Sequence, residues 1–314
     1  MNRSNNSFAY ISDLWLENNK VFWKESTYAK YTQISVNLKK AISGNYSIGN
    51  INSRMIQKKV NSAIAEKTMS VATIKSYISV INSILSFASA NNFACVESVK
   101  ISYPKPVKSN IKILTEKEQK TLTKYLLSTI TPDKLGILLA LYTGIRCGEL
   151  CALKWQDIDL PSGIVTINKT MQRIQCGSGG SKTKIVVTSP KTANSNRIIP
   201  LPLFLIRILK KAESKDKNVF LLTGKSTKGI EPRQAQNVLN KCLQDCMIGK
   251  INFHALRHTF ASRCIELGVD YKTLSEILGH ANVTTTMNLY VHSSTDLKRR
   301  EMNKLNFLAK DSQN

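Results

Sequence analysis

Residues 253–290 read FHALRHTFASRCIELGVDYKTLSEILGHANVTTTMNLY, and the rest of the chain is best read outward from them. His254 and Arg257 are three apart, so on a helix they share one face. His280 follows Gly279 in a predicted turn, and Tyr290 ends the next short helical run. All four histidines, His254, His258, His280 and His292, fall in or just beside this stretch. Imidazole, guanidinium and phenol groups brought together suit chemistry on a phosphodiester. The segment from Tyr271 to Tyr290 also reads as helix, Gly-containing turn and second helix, which is the pattern of a non-enzymatic DNA-binding regulator.

Composition narrows the class of partner. A length of 314 residues favours about two domains, and 42% hydrophobic with 21% charged residues is ordinary for a soluble globular protein. The charge balance is not ordinary: 45 Lys and Arg against 21 Asp and Glu leave a net charge of +24. Residues 1–110 carry 14 basic and 5 acidic side chains, and the remainder carries 31 and 16. Two regions that are both basic point to an extended polyanion. No continuous apolar run reaches the ~18 residues of a membrane span, and MNRSNNSFAY lacks the apolar stretch of a signal peptide. A cytoplasmic, nucleoid-associated protein with no membrane partner is expected. Seven cysteines without a CxxC pair suggest reduced packing thiols rather than zinc ligands, and neither a metal nor a cofactor is expected.

Periodicity divides the chain. Residues 1–99 read as a helical domain. Phe8, Ile11, Leu14 and Trp15 form one face, and Ser26 or Thr27 is the expected cap of a second helix closed by Gly44. A third helix starts near Asn52. The fourth, capped by Ser70, carries Ile74, Tyr77, Ile78, Ile81, Leu85 and Ala88 at helical spacing. Its opposite face, Thr73, Lys75, Ser76, Ser79, Asn82, Ser83 and Ser86, suits either a DNA groove or solvent. Residues 100–112 form a basic linker with two prolines and no acidic residue. Its Lys100, Lys105, Lys108 and Lys112, with Lys75, are the expected DNA contacts, in a clamp around duplex DNA. Residues 113–292 form the second domain, opened by a Thr115/Glu118 capping box and a buried helix from Pro132. An alternating stretch from Gly163 to Pro200 is interrupted by the turns GSGGSK and TANSN. The predicted architecture is mainly α with a small antiparallel β-sheet in the second domain.

Five segments of the second domain, taken together, resemble the catalytic domain of the tyrosine recombinases, also called the phage integrase family. They are TGIRCGEL (143–150), SPKTANSNRIIPL (189–201), HALRH (254–258), LGH (278–280) and Tyr290. The resemblance covers about 112–292 and gives Arg146, Lys191, His254, Arg257, His280 and Tyr290 as catalytic residues in the family's order. Lys182 and Lys184 compete with Lys191 for the hairpin lysine. The helical N-terminal domain resembles, less specifically, the family's SAM-like core-binding domain.

The implied chemistry explains those residue types. A tyrosine can cut DNA without metal by forming a 3′-phosphotyrosyl ester. With a pKa of about 10 it needs a neighbouring base at neutral pH, a role the resemblance gives to His254. His280 would hydrogen-bond the phosphate, Arg146 and Arg257 would clamp its non-bridging oxygens, and Lys191 would protonate the leaving 5′ hydroxyl. Because the ester conserves bond energy, a second 5′ hydroxyl can reverse the reaction. Strand exchange is therefore the expected outcome, and the resemblance implies that it serves integration or excision of a mobile element. Double-stranded DNA is the expected partner, bound by a homotetramer on two sites that is weakly associated or monomeric without DNA. An accessory DNA-bending or directionality factor is also expected.

Other readings explain less. Arg146 beside Glu149 could be a buried ion-paired arginine. Asp157 and Asp159 could suggest a two-metal nuclease, but Trp155, Ile158 and Leu160 interleave them as in a helix exit into a strand. A non-enzymatic regulator would leave Arg146, Lys191 and the HALRH box unexplained, and a catalytically silent DNA-binding relative stands against the presence of every expected catalytic residue. Residues 293–314, with a basic face and an apolar stripe, are expected to dock on a neighbouring protomer.

Overall fold

The computed structural model of the chain describes residues 6–105, 112–175, 183–189 and 196–290, together with 299, 302, 303 and 306. They fall into two compact units, residues 1–108 with 174–184 and residues 109–173 with 185–314. The mainly helical class with small sheets is as predicted.

The first unit is built on four helices: α1 (Phe8–Asn19), α2 (Glu25–Ile42), α3 (Ser53–Ala65) and α4 (Val71–Ala90). Three start on side-chain caps. Ser7, Asn52 and Ser70 accept from the backbone N–H of Tyr10, Met55 and Thr73, satisfying donors that a first turn leaves open. The second helix departs from expectation, since it begins at Glu25 with Lys24 as N-cap and no side-chain cap. The Lys24 carbonyl already accepts from Thr27 and Tyr28, and Glu25 complements the positive end of the helix dipole, so Ser26 and Thr27 lie inside the first turn. The helix closes at Ser43, with φ 69°, one residue before Gly44.

Phe8, Ile11, Trp15, Leu38, Ile42, Val60, Ile74, Ile81 and Leu85 fill this unit's core. Although α4 is long and apolar enough to cross a membrane by length and composition, it buries Ile74, Ile78, Ile84, Leu85 and Ala88, as a core helix does. On its polar face, Asn82 is used internally, donating to the Val99 carbonyl at 3.1 Å and accepting from the Val99 N–H at 2.8 Å. The chain stays fastened beyond it. Gln57 exchanges two hydrogen bonds with the Ser102 backbone, and Ile101 and Tyr103 pack against the core.

The second unit opens with α5 (Glu116–Ser128), whose capping box forms as the sequence predicts: Glu118 accepts from the Thr115 N–H and Thr115 from the Glu118 N–H. Helix α6 (Pro132–Thr143) is apolar and buried from Leu135 to Leu141, and it ends at Gly144 with φ 65°. A Cβ there would lie 2.6 Å from Phe260 and 2.7 Å from Leu278, so the left-handed turn needs glycine twice over. After α7 (Cys147–Ala152), strands β1 (Ile158–Asp159), β2 (Ile164–Ile167) and β5 (Arg197–Pro200) form an antiparallel sheet ordered β1-β2-β5. Its register sets Val165 opposite Ile199 and Ile167 opposite Arg197. Strands β3 (Thr170–Gln175) and β4 (Thr183–Thr188) pair separately, and residues 174, 175, 183 and 184 of this pair are counted with the first unit. Further helices are α8 (Leu203–Ala212), α9 (Pro232–Asp245), α10 (His254–Glu266), α11 (Tyr271–Leu278) and α12 (Val283–Tyr290).

Candidate active site

The last turn of α11 is where the second unit gathers its charges. A helix end leaves carbonyls without intrahelical partners and carries the negative end of the dipole. Here three consecutive carbonyls each accept from a different arginine. Arg197 Nε donates to Ile277 at 2.7 Å, Arg257 Nη2 to Leu278 at 2.7 Å, and Arg146 Nη2 to Gly279 at 3.0 Å. The three arginines come from β5, from α10 and from the N-cap of α7. Residues far apart in sequence are thus brought to one turn.

Each arginine is held from a second side. Arg257, 3% exposed, also donates through Nη1 to the Gly144 carbonyl at 2.9 Å, so it ties the end of α6 to the end of α11. Glu149, on α7 and 4% exposed, takes both other arginines. Its Oε1 accepts from Arg146 Nη1 at 2.8 Å and Arg197 Nη1 at 3.0 Å, and its Oε2 from Arg197 Nη2 at 2.8 Å and the Arg146 N–H at 3.0 Å. Burial alone would raise the Glu149 carboxyl pKa, but the fork and charge of Arg197, then the backbone N–H and charge of Arg146, hold it below the ordinary carboxylate value. The ion pair read beside Arg146 therefore exists and includes a second arginine. Arg146 keeps a side-chain exposure of 34% and uses two of a guanidinium's five donors in these bonds.

The histidines surround this positive cluster. Gly279 ends α11 in the left-handed conformation and turns the chain so that the His280 N–H bonds the Ser275 carbonyl at 3.0 Å. Its Nδ1 lies 2.8 Å from the buried hydroxyl of Thr286 on α12, which fixes the ring and leaves Nε2 for a ligand. Desolvation first, then Arg257 and Arg146, push the His280 pKa down to about 4. His254 opens α10 on its exposed side, and desolvation followed by Arg257 and Arg146 lowers its pKa too. His258, expected to pack rather than react, is buried with its ring edge-on to that of His254, centroids 4.6 Å apart. Desolvation and His254 push its pKa down to about 4. Neutral imidazoles beside guanidiniums form a site prepared for an anion.

Four of the six predicted catalytic residues, Arg146, His254, Arg257 and His280, are thus brought to the end of α11 or beside it. Tyr290 ends α12, ten residues after His280; its side chain, and the whole of Lys191, Lys182, Lys108 and His292, lie outside the described residues. The tail expected to dock on a neighbour also lies outside them, except for Arg299, Met302, Asn303 and Asn306, which are exposed. Lys75, Lys100, Lys105 and Lys112 are exposed. Lys75 sits over the Tyr103 ring at 5.1 Å, and Lys112 reaches the Lys250 carbonyl at 3.5 Å.

Two contributors escaped the sequence reading, Arg197 and Thr286. Arg197 stood in the quoted RIIP segment, but nothing local marks its partners 48 and 80 residues away. Asp157 and Asp159 are committed elsewhere: Asp157 accepts from the Lys154 N–H and Lys169, and Asp159 from the Ser162 N–H. Among the described residues no group of three His, Cys, Asp or Glu side chains could hold a metal ion.

Comparison with known proteins gives this site a context. Residues 112–296 match the phage integrase family, and residues 7–64 match the phage integrase N-terminal SAM-like domain. Tyrosine recombinase XerC of Thermodesulfovibrio yellowstonii is 30% identical over 255 residues, covering 80% of this chain and 77% of that protein. A XerC-like tyrosine recombinase of Caldanaerobacter subterraneus subsp. tengcongensis is 34% identical over 192 residues, 56% of this chain, and the chain spans about half (49%) of that relative. The ICEBs1 integrase of Bacillus subtilis is 29% identical over 182 residues, 54% of this chain and 47% of that protein. Among solved structures, the Tn1549 transposon integrase in complex with a circular intermediate DNA is similar at a TM-score of 0.77 and 19% identity, with 94% of this chain and 99% of that chain covered. A lambda integrase tetramer bound to a Holliday junction is similar at a TM-score of 0.66 and 17% identity, covering 91% and 78%. At these identities the structural likeness concerns the fold alone.

Proposed function

This chain belongs to the phage integrase family, the tyrosine recombinases, and from that premise we propose that it cleaves and rejoins DNA at specific sites to integrate or excise a mobile element. The observation that carries this reading is the convergence of Arg146, Arg257 and His280 on the end of α11, with His254 beside them. A site with two guanidiniums and neutral imidazoles suits a phosphodiester, and a net charge of +24 suits the DNA around it.

The Tyr290 phenolic oxygen attacks the scissile phosphorus while His254 assists loss of its proton. The bond to the 5′ oxygen breaks, and Lys191 supplies the proton that makes it a 5′ hydroxyl. Arg146 and Arg257 hold the non-bridging oxygens as negative charge builds in the transition state, and His280 Nε2 adds a hydrogen bond. The 3′-phosphotyrosyl ester is then attacked by another strand's 5′ hydroxyl, which restores the phenol and joins new partners. No bond energy is lost, so no cofactor is required. The working assembly is a homotetramer on two duplex sites, formed on cytoplasmic DNA from weakly associated protomers. Residues 293–314 dock between neighbours, the lysines at 75, 100, 105, 108 and 112 lie along the phosphates, and an accessory DNA-bending or directionality factor sets the outcome.

The test is a cognate site carrying a nick that lets the cleaved strand diffuse away. Wild type is expected to leave a protein–DNA band resistant to denaturant, and Tyr290→Phe to bind the same DNA and leave none. Tight binding by wild type with no such band would contradict the reading.

A further inference from the structure

Resting on that reading, we propose that Arg197 is a positioning residue for strand cleavage, one that fixes Arg146 and His280 without touching the phosphate. Arg197 lies behind the site rather than in it: its side chain is 5% exposed, against 34% for Arg146. It is anchored on β5 opposite Ile167 of β2, so its backbone is fixed by a sheet rather than by a loop.

From that anchor two of its connections reach the site. The first runs through Glu149. A carboxylate has about four acceptor sites, and the Glu149 carboxylate receives four bonds, two from Arg197 and two from Arg146. A carboxylate bonded to Arg146 alone could pivot with it; one gripped bidentately by Arg197 cannot. The second connection is Nε to the Ile277 carbonyl, which fixes the end of α11 two residues before Gly279 and three before His280. Arg146 bonds Gly279 in turn. The links therefore close a ring from Arg197 through Glu149, Arg146 and Gly279 back along α11 to Ile277. The planar fork of arginine can make both connections at once, and a lysine ammonium cannot. Arg197 thus sets the direction in which Arg146 presents its remaining donors and the height at which His280 stands.

A merely structural role would slow cleavage of every substrate equally, and that separates the two. Arg197→Gln and Arg197→Lys should be assayed in single-turnover cleavage at saturating DNA. One nicked site carries the ordinary scissile phosphate, and the other carries a methylphosphonate in its place, which removes the charge that Arg146 stabilises. On phosphate, Arg197→Gln should slow covalent-complex formation by about 10²-fold, the scale of losing one transition-state donor, and Arg197→Lys by about tenfold. On methylphosphonate both penalties should shrink to about threefold or less, since placement of Arg146 no longer matters there. Equal penalties on the two substrates would overturn the proposal, as would wild-type rates on both or the failure of both variants to fold. If wild type itself forms no covalent complex with phosphate, the recombinase reading fails first, and that outcome is distinct from these.

Discussion

The two units bury different things. In the first, the buried polar residues among those described are Ser12 and Ser35, whose hydroxyls pair at 3.1 Å inside an aliphatic and aromatic core. In the second, Gln119, Thr143, Glu149, Arg197, Arg257, His258, Thr259, Ser275 and Thr286 are buried, and of these Glu149, Arg197, Arg257, Ser275 and Thr286 gather around the end of α11. Taking a charge out of water costs several kcal/mol unless it is paired and fully hydrogen-bonded. The first unit meets the ordinary demands of a helical core, whereas the second holds ionised groups inside. That cost marks where the chemistry lies, and the contrast can be attacked from both sides.

The largest effect belongs to the charged region. Arg257→Gln removes a fork that bridges Gly144 and Leu278 and, in the proposed reaction, grips the phosphate. Single-turnover cleavage should fall about 10²- to 10³-fold with site affinity changed far less, as a gel-shift titration would show. A loss confined to affinity would mean that Arg257 serves only in binding. In the first unit, Leu85→Ala removes a fully buried side chain from α4 and should cost about 2–5 kcal/mol of stability, read from denaturant unfolding. The folded variant at saturating DNA should cleave at the wild-type rate. A matching fall in that rate would show that the two regions are not separable in the way their cores suggest.

The smallest effect is on pH. His258 and His280 have folded pKa values near 4 against about 6.5 unfolded. Between those limits the unfolded chain binds more protons, so stability falls as pH drops from about 6.5 toward 4 and is complete above 6.5. No histidine occurs before residue 254. Amide exchange, corrected for its intrinsic pH dependence, should therefore show α10 losing protection over pH 6.5 to 5 while α4 changes less. Equal loss in both helices would contradict the placement of the shifted histidines.

What could be read from the sequence follows the same division. Ser70 and the Thr115/Glu118 box were legible because a cap and its partner lie three residues apart. The apolar stripe of α4 was legible because it repeats at helical spacing. The start of α2 was misread because Ser26 and Thr27 are good caps in isolation, while the backbone turn closed on Lys24. Strand β3 was hidden within one long alternating stretch. Asn82 read as part of a face suited to a DNA groove or to solvent, and only the path of the chain at Val99 shows its use. At the site, Arg146, His254, Arg257 and His280 could be named from motifs, but not the reason they meet. That reason is a set of bonds to backbone carbonyls, and a carbonyl carries no residue identity. Arg197 and Thr286 were missed for the same cause.

The central claim is that the chain attaches itself to DNA through Tyr290. The direct measurement is to trap the covalent complex on a nicked cognate site, digest both protein and DNA, and identify the modified peptide by mass spectrometry. The expected result is a nucleotide linked through its 3′ phosphate to the peptide carrying Tyr290. A linkage on Tyr271 or any other residue, or cut DNA with no protein attached, would contradict it.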